Sequence, residues 1–146
     1  MKKLTKINQV ELRYTRPHVS ELPDVSFPSK AIYHLRNVID DGILDMKEYH
    51  WVLLLTADNK LLGISEVNSG TILGGIIFTR EIIQLALLAN AVGIILVHNH
   101  PSGNLTPSRK DIKISRNISK TCKIMDIYLK DHIIITSEDY ASIDFE

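Results

Sequence analysis

The sequence has 146 residues, 45% of them hydrophobic, which suits one domain with a core large enough to fold without a structural metal. Lys plus Arg and Asp plus Glu number 17 each, a balance that argues against attachment to nucleic acid mainly by phosphate neutralisation, though not against a local basic patch. The single cysteine, Cys122, excludes an intramolecular disulfide and fits a reducing compartment.

The start, Met1-Lys2-Lys3, is basic, but polar residues follow in place of a signal peptide's apolar core. No apolar run approaches the ~20 residues of a membrane span. A cytoplasmic protein without membrane association is expected. Val10 to Tyr14 alternates like a short strand, and Pro17, Pro23 and Pro28 punctuate an extended lead-in. Residues 1–28 therefore read as an N-terminal extension and 29–146 as the domain.

Pro28-Ser29 opens a helical pattern through Ile32, Leu35, Val38 and Ile39, stopped by Asp41-Gly42. Tyr49 to Thr56 reads as a buried strand, Ala57 to Lys60 as a turn, and Leu61 to Val67 as the returning strand. Thr71 to Phe78 is a further apolar stretch. Thr79 reads as the cap of a helix reaching Asn90. Gly93 to Val97 is wholly apolar, the signature of a central strand covered on both faces. His98-Asn99-His100 follows at once, then a loop with Pro101, Gly103 and Pro107. Thr106-Pro107 predicts the start of a helix with Ile114, Ile118, Cys122 and Met125 on its apolar face. Tyr128 to Thr136 is a late strand before an acidic tail. The class is α+β, a mixed β-sheet flanked by helices.

Residues i and i+2 of an extended chain point to the same side, so His98 and His100 can face one ion. Asp111 lies beyond a loop that can turn the chain back, and a helix from Pro107 would place it in the second turn. Two imidazoles and a carboxylate leave a fourth zinc position open for water, as catalytic sites do. Zinc lowers the pKa of that water to roughly 7. A carboxylate can serve as the general base, and a serine hydroxyl such as that of Ser108 can stabilise an oxyanion. Taken singly, Ser108 reads as a helix-start residue and Asp111 as a partner of the helix dipole. Their combination after a buried strand is what points to a zinc-dependent hydrolase. The consecutive letters His-Asn-His are not those of the HNH nucleases, whose residues are scattered through a ββα motif.

His98-Asn99-His100-Pro101-Ser102-Gly103, continued by Thr106-Pro107-Ser108-Arg109-Lys110-Asp111, closely resembles the RadC family of the JAB/MPN superfamily of JAMM metalloproteases. The JAMM pattern is His-x-His, seven residues, Ser, two residues, Asp, and His98, His100, Ser108 and Asp111 match it without a gap. Glu66-Val67, Gly70-Thr71, Arg80-Glu81, Ala91 to Val97 and Asp131 to Ile134 extend the likeness over roughly residues 29–140. One departure is Phe78-Thr79, where the family usually has His-Pro; it concerns a helix start and not the metal set. The resemblance implies an α/β/α-like JAB1/MPN (cytidine-deaminase-like) fold. It implies that His98, His100 and Asp111 ligate zinc and that Ser108 supports the oxyanion. The JAMM glutamate precedes the first core strand, which selects Glu48 as general base, with Glu66 as the rival. His50 and His132 are expected to be structural, Arg80 and Glu81 to start a helix, and Cys122 to lie in the core. RadC proteins often carry a helix-hairpin-helix region, absent from this pattern, so a stand-alone JAB domain is expected.

Three functions follow as expectations. The first is a zinc metallopeptidase that cleaves a peptide or isopeptide bond. The second is a DNA-associated accessory protein, suggested by the DNA-repair label of RadC and weakened by the neutral charge. The third is a metal-binding interaction module without turnover, disfavoured by the intact ligand set.

Overall fold

The computed structural model of the protein describes residues 13–69 and 79–146. Its elements are α1 (Pro28–Arg36), β1 (Tyr49–Leu55), β2 (Leu61–Ser69), α2 (Thr79–Leu88), β3 (Gly93–Asn99), α3 (Arg109–Ile124), β4 (Tyr128–Ile135) and β5 (Tyr140–Ser142). The strands form one mixed sheet in the order β2-β1-β3-β4-β5. Helix α1 packs on one face, and α2 and α3 pack on the other. This is the α+β architecture read from the sequence. The expected strand at Val10 to Tyr14 falls mostly outside the described residues, and the apolar stretch Thr71 to Phe78 falls wholly outside them.

Strand β3 runs antiparallel to β1 and parallel to β4. The parallel pair needs a crossover, and α3 supplies it. Every residue of β3 is buried. Ile95 and Val97 enter the core under α1, whereas Ile94 and Leu96 enter the core under α2 and α3. The same alternation divides Trp51, Leu53 and Leu55 from Val52 and Leu54 in β1. Continued by two residues, it sends His98 toward the α3 side and Asn99 toward the α1 side.

Several boundaries differ from expectation. Helix α1 ends at Arg36, and Asp41–Ile43 forms a separate 3-10 turn whose start is capped by the Asp40 side chain. Ile39 and Ile43 still pack on the α1-side core, so the apolar spacing outruns the helix. Helix α3 is capped by Ser108 and begins at Arg109, not at Thr106-Pro107. Asp111 therefore lies in the first turn. Met125 follows the helix as its C-cap and is exposed. Helices α2 and α3 stop at residues in the left-handed region, Asn90 (φ 52) and Asp126 (φ 55). The Ala91 N–H then bonds to the Ala86 carbonyl at 2.8 Å, and the Ile127 N–H to that of Cys122 at 2.9 Å. These are Schellman endings made without glycine. The acidic tail carries β5, paired with β4 through Ile133–Ile135.

The segment before α1 is tied to the β1–β2 turn. The Val25 N–H donates to Asn59 O at 2.9 Å, the Leu61 N–H donates to Pro23 O at 2.8 Å, and Val25 is fully buried.

Asn99 clamps the chain ahead of β1. Its Nδ2 donates to Leu44 O at 2.8 Å and to Lys47 O at 2.7 Å. Its Oδ1 accepts from the Tyr49 N–H at 2.5 Å. Asn99 is fully buried, so the clamp is shielded from water. Replacement by alanine would orphan three backbone groups, each costing about 1–3 kcal/mol where it stays dry. Asn99→Ala is thus expected to destabilise the fold by on the order of 3 kcal/mol, seen as a lower urea midpoint with an unchanged m-value. An unchanged midpoint would show that water satisfies the loop as well as the amide does.

Cys122 lies in the core under α3, and burial pushes its thiol from 9.0 up to about 11. A raised thiol pKa favours the neutral form in the folded state. The stabilisation is present in full below 9.0 and fades as pH rises through about 11. At pH 8 the thiol is expected to resist alkylation in the native protein and to react on unfolding, as mass spectrometry would report.

Candidate metal centre

The C-terminal end of β3 meets the N-terminus of α3 on the α3 side of the sheet. Strand period two aims His98 and His100 at one point, with their Nε2 atoms 3.0 Å apart. The loop after them reverses at Gly103, whose φ of +79° suits glycine and whose N–H returns to His100 O at 3.0 Å. The chain then enters α3 through a reciprocal cap. Ser108 Oγ accepts from the Asp111 N–H at 3.1 Å, and the Asp111 Oδ2 accepts from the Ser108 N–H at 2.7 Å. This cap fixes the carboxylate, leaving Oδ1 3.4 Å from His98 Nε2 and Oδ2 3.5 Å from His100 Nε2.

The three donors fit a metal. A tetrahedral ion with bonds of about 2.0–2.1 Å holds its ligands about 3.3–3.4 Å apart. The separations of 3.0, 3.4 and 3.5 Å lie around that value. Among the described residues, His98, His100 and Asp111 are the group able to hold an ion together. The imidazole orientations agree. The Asn104 carbonyl can only accept, so at 2.6 Å the His100 Nδ1 carries its proton and Nε2 is left bare in the neutral ring.

Charge is arranged to match. Burial holds His98 below the usual histidine range, against the pull of Asp111. The Asp111 carboxylate raises His100, which is less buried. Burial opposes ionisation of Asp111, but the adjacent His100 and His98 imidazoles and the hydrogen bond from the Ser108 N–H together hold its carboxyl well below the usual carboxylate range. The site therefore presents an anion at neutral pH, at the positive end of α3.

The cavity in front of this cluster has a volume of about 360 Å³, and Glu48, His100, Ser108, Asp111, Asn104 and Ile114 line it. Glu48 stands one residue before β1, on the segment clamped by Asn99. His50 Nε2 lies 3.2 Å from Glu48 Oε1 and holds that carboxyl below its ordinary value despite its burial. The arrangement leaves His50 Nδ1 buried without a partner among the described residues. Glu66 is elsewhere. It pairs with Trp51 across β1 and β2, and shares a pocket with Trp51, Ile64 and Ile43 on the α1 side. The sheet separates it from the two histidines.

Four further residues have roles that composition and spacing did not reveal. Asn99 positions the Glu48 segment, and its signal was a polar residue due to be buried between two histidines at a strand end. His50 stacks on His98 with ring centroids 5.2 Å apart, as direct cross-strand register requires. His132 is buried in β4, as expected of a packed strand histidine, and lies behind His98 with its Nε2 2.8 Å from His98 Nδ1. Ser115, on the second turn of α3, lies 2.6 Å from His132 Nδ1. Arg80 and Glu81 lie at the start of α2.

Among the described residues no helix is long and apolar enough to cross a membrane. Comparison with known proteins places the same residues in a family. The chain matches the RadC-like JAB domain over residues 26–146. It is 38% identical over 125 residues to a UPF0758 protein of Clostridium tetani, covering 81% of this chain and 55% of that one. It is 41% identical over 101 residues to a UPF0758 protein of Flavobacterium johnsoniae, covering 69% and 44%. A UPF0758 protein of Geotalea uraniireducens is 35% identical over 130 residues, covering 89% and 56%. The chain thus spans about half the length of these relatives. With the match covering most of the chain and the two histidines and aspartate meeting at one point, the chain belongs to the family of RadC-like JAB domains.

Proposed function

We propose that this domain is a zinc-dependent hydrolase that cleaves an amide bond in a peptide or isopeptide substrate. The observation that carries the reading is the convergence of two imidazole nitrogens and one ionised carboxylate at a cavity that a second carboxylate also lines. His98, His100 and Asp111 would hold the ion. Two imidazoles and one carboxylate leave a coordination position free, the arrangement of catalytic zinc sites. Bound there, zinc would supply Lewis acidity and a nucleophile at neutral pH, because it lowers the pKa of water it holds to about 7.

The chain's own groups supply the rest. Glu48 is ionised at neutral pH, because His50 holds its carboxyl low, so it can take a proton from water in the cavity and deliver it to the leaving amine. The Ser108 Oγ accepts from the Asp111 N–H, which leaves its hydroxyl hydrogen to donate toward an oxyanion in the cavity. Glu48 and Asp111 together offset the two charges of a zinc ion, so the loaded site carries no large net charge.

Two outcomes test the assignment. Purified protein is expected to carry about one zinc per chain by elemental analysis, and His100→Ala to lose it by at least tenfold in affinity. A wild-type protein that takes up no zinc on reconstitution overturns the metal reading. Glu48→Gln is expected to retain zinc and to lose at least 100-fold in hydrolysis of a fluorogenic peptide library, consistent with loss of a general base. Glu66→Gln is expected to match wild type in both measurements. The reverse pattern between the two glutamates would move the base to Glu66.

A further inference from the structure

Behind the metal centre runs a chain of hydrogen bonds. Ser115 Oγ lies 2.8 Å from the Asp111 carbonyl oxygen and 2.6 Å from His132 Nδ1. His132 Nε2 lies 2.8 Å from His98 Nδ1. The far side of His98 faces Asp111 Oδ1 at 3.4 Å. The chain therefore leaves Asp111 by its backbone and ends at His98, whose far side faces the carboxylate of the same residue. It links α3, β4 and β3, and both of its end points belong to metal-ligand candidates.

Proton positions along it follow from one fixed end. A carbonyl oxygen only accepts, so the Ser115 hydroxyl donates to Asp111 O. The Ser115 oxygen then has only lone pairs to offer, so His132 Nδ1 must carry the proton between them. Both His132 ring nitrogens are taken, by Ser115 and His98, neither of them an acid, and the ring is buried. In a neutral imidazole one nitrogen donates and the other accepts. His132 Nε2 is thus bare, and His98 Nδ1–H donates to it. His98 Nε2 is left as a lone pair aimed at His100 Nε2 and Asp111.

We propose that Ser115 and His132 are positioning residues that lock His98 in the Nδ1–H tautomer and so present its Nε2 to the metal. The role rests on the metal site proposed above, and concerns how that site is prepared before an ion arrives. Metal-bound histidines generally donate their second ring N–H to a carboxylate, carbonyl or water. A neutral imidazole in that place orients His98 without adding negative charge behind it. His98 is then a weaker electron donor than it would be against a carboxylate, which leaves a bound ion more electrophilic. His100 is oriented separately, by the Asn104 carbonyl.

The test uses zinc alone and needs no substrate. Zinc affinity is measured by chelator competition at pH 8 in wild type, His132→Leu, His132→Gln and Ser115→Ala. Long-range ¹H–¹⁵N spectra of the zinc-free proteins report the His98 tautomer. His132→Leu is expected to lose 10–100-fold in affinity, the usual cost of removing such a partner, and to shift His98 toward the Nε2–H form. His132→Gln keeps an acceptor near the place of Nε2 and is expected to recover most of the affinity and the Nδ1–H signature. Ser115→Ala frees His132 to exchange tautomers and is expected to give an intermediate loss; it also carries the test if His132→Leu fails to fold. Folded variants with wild-type affinity and an unchanged His98 tautomer overturn the relay while leaving the zinc site standing. A wild-type protein that binds no zinc, yet has His98 in the Nδ1–H form, overturns the site and not the relay's geometry.

Discussion

Strand alternation at the end of β3 decides almost everything that follows. Because successive side chains point to opposite faces, His98 and His100 share one side of the sheet and Asn99 takes the other. The two histidines build the centre with Asp111, and Asn99 holds the segment that carries Glu48. A slip of one residue would put Asn99 at the metal position and bury two imidazoles under α1, where Ile95 and Val97 leave only apolar neighbours. The register is protected on both sides, by antiparallel pairing of His50 with His98 and parallel pairing of His98 with Ile134.

The cluster is also an exception to the physics of its surroundings. His50, His98, His132, Ser115 and Asp111 are all buried in a layer that is otherwise apolar. Buried polar groups are tolerated when each finds a partner, and here most of the partners are one another, while His50 turns to Glu48. The remaining mismatches are His50 Nδ1, unpartnered among the described residues, and the metal position. Two bare imidazole nitrogens stand 3.0 Å apart beside an ionised carboxylate, an arrangement that repels in part and that a cation between them would relieve.

The sheet, the helices and the meeting of His98, His100 and Asp111 were legible in the sequence because each had a strong local signal. The apolar run before His98 marks a central strand, and the spacing from His98 to Asp111 marks the candidate ligands. Helix ends were less legible, since Asn90 and Asp126 take the left-handed conformation usually signalled by glycine. The start of α3 was misplaced because Thr106-Pro107 and Ser108 are both good caps, and only the side-chain exchange with Asp111 decides between them. The preference for Glu48 over Glu66 came from its place just before the first core strand; the structure adds that Glu48 lines the cavity at the histidines, whereas Glu66 lines a pocket on the α1 side. The face taken by Glu66 was not legible, because the β1–β2 register shifts between His50 and Trp51, a feature with no sequence signature. The partners behind the ligands were hidden for another reason: Ser115 and His132 come from separate elements and meet only through packing.

The cap at the head of α3 joins two processes usually treated apart. Asp111 Oδ2 accepts the Ser108 N–H and also stands 3.5 Å from His100 Nε2. A metal held through Oδ2 would draw on the same oxygen that closes the first turn of the helix. Occupancy of the centre and fraying of that turn would then be linked equilibria, and the exchange rate of a single backbone amide would gauge whether the site is filled.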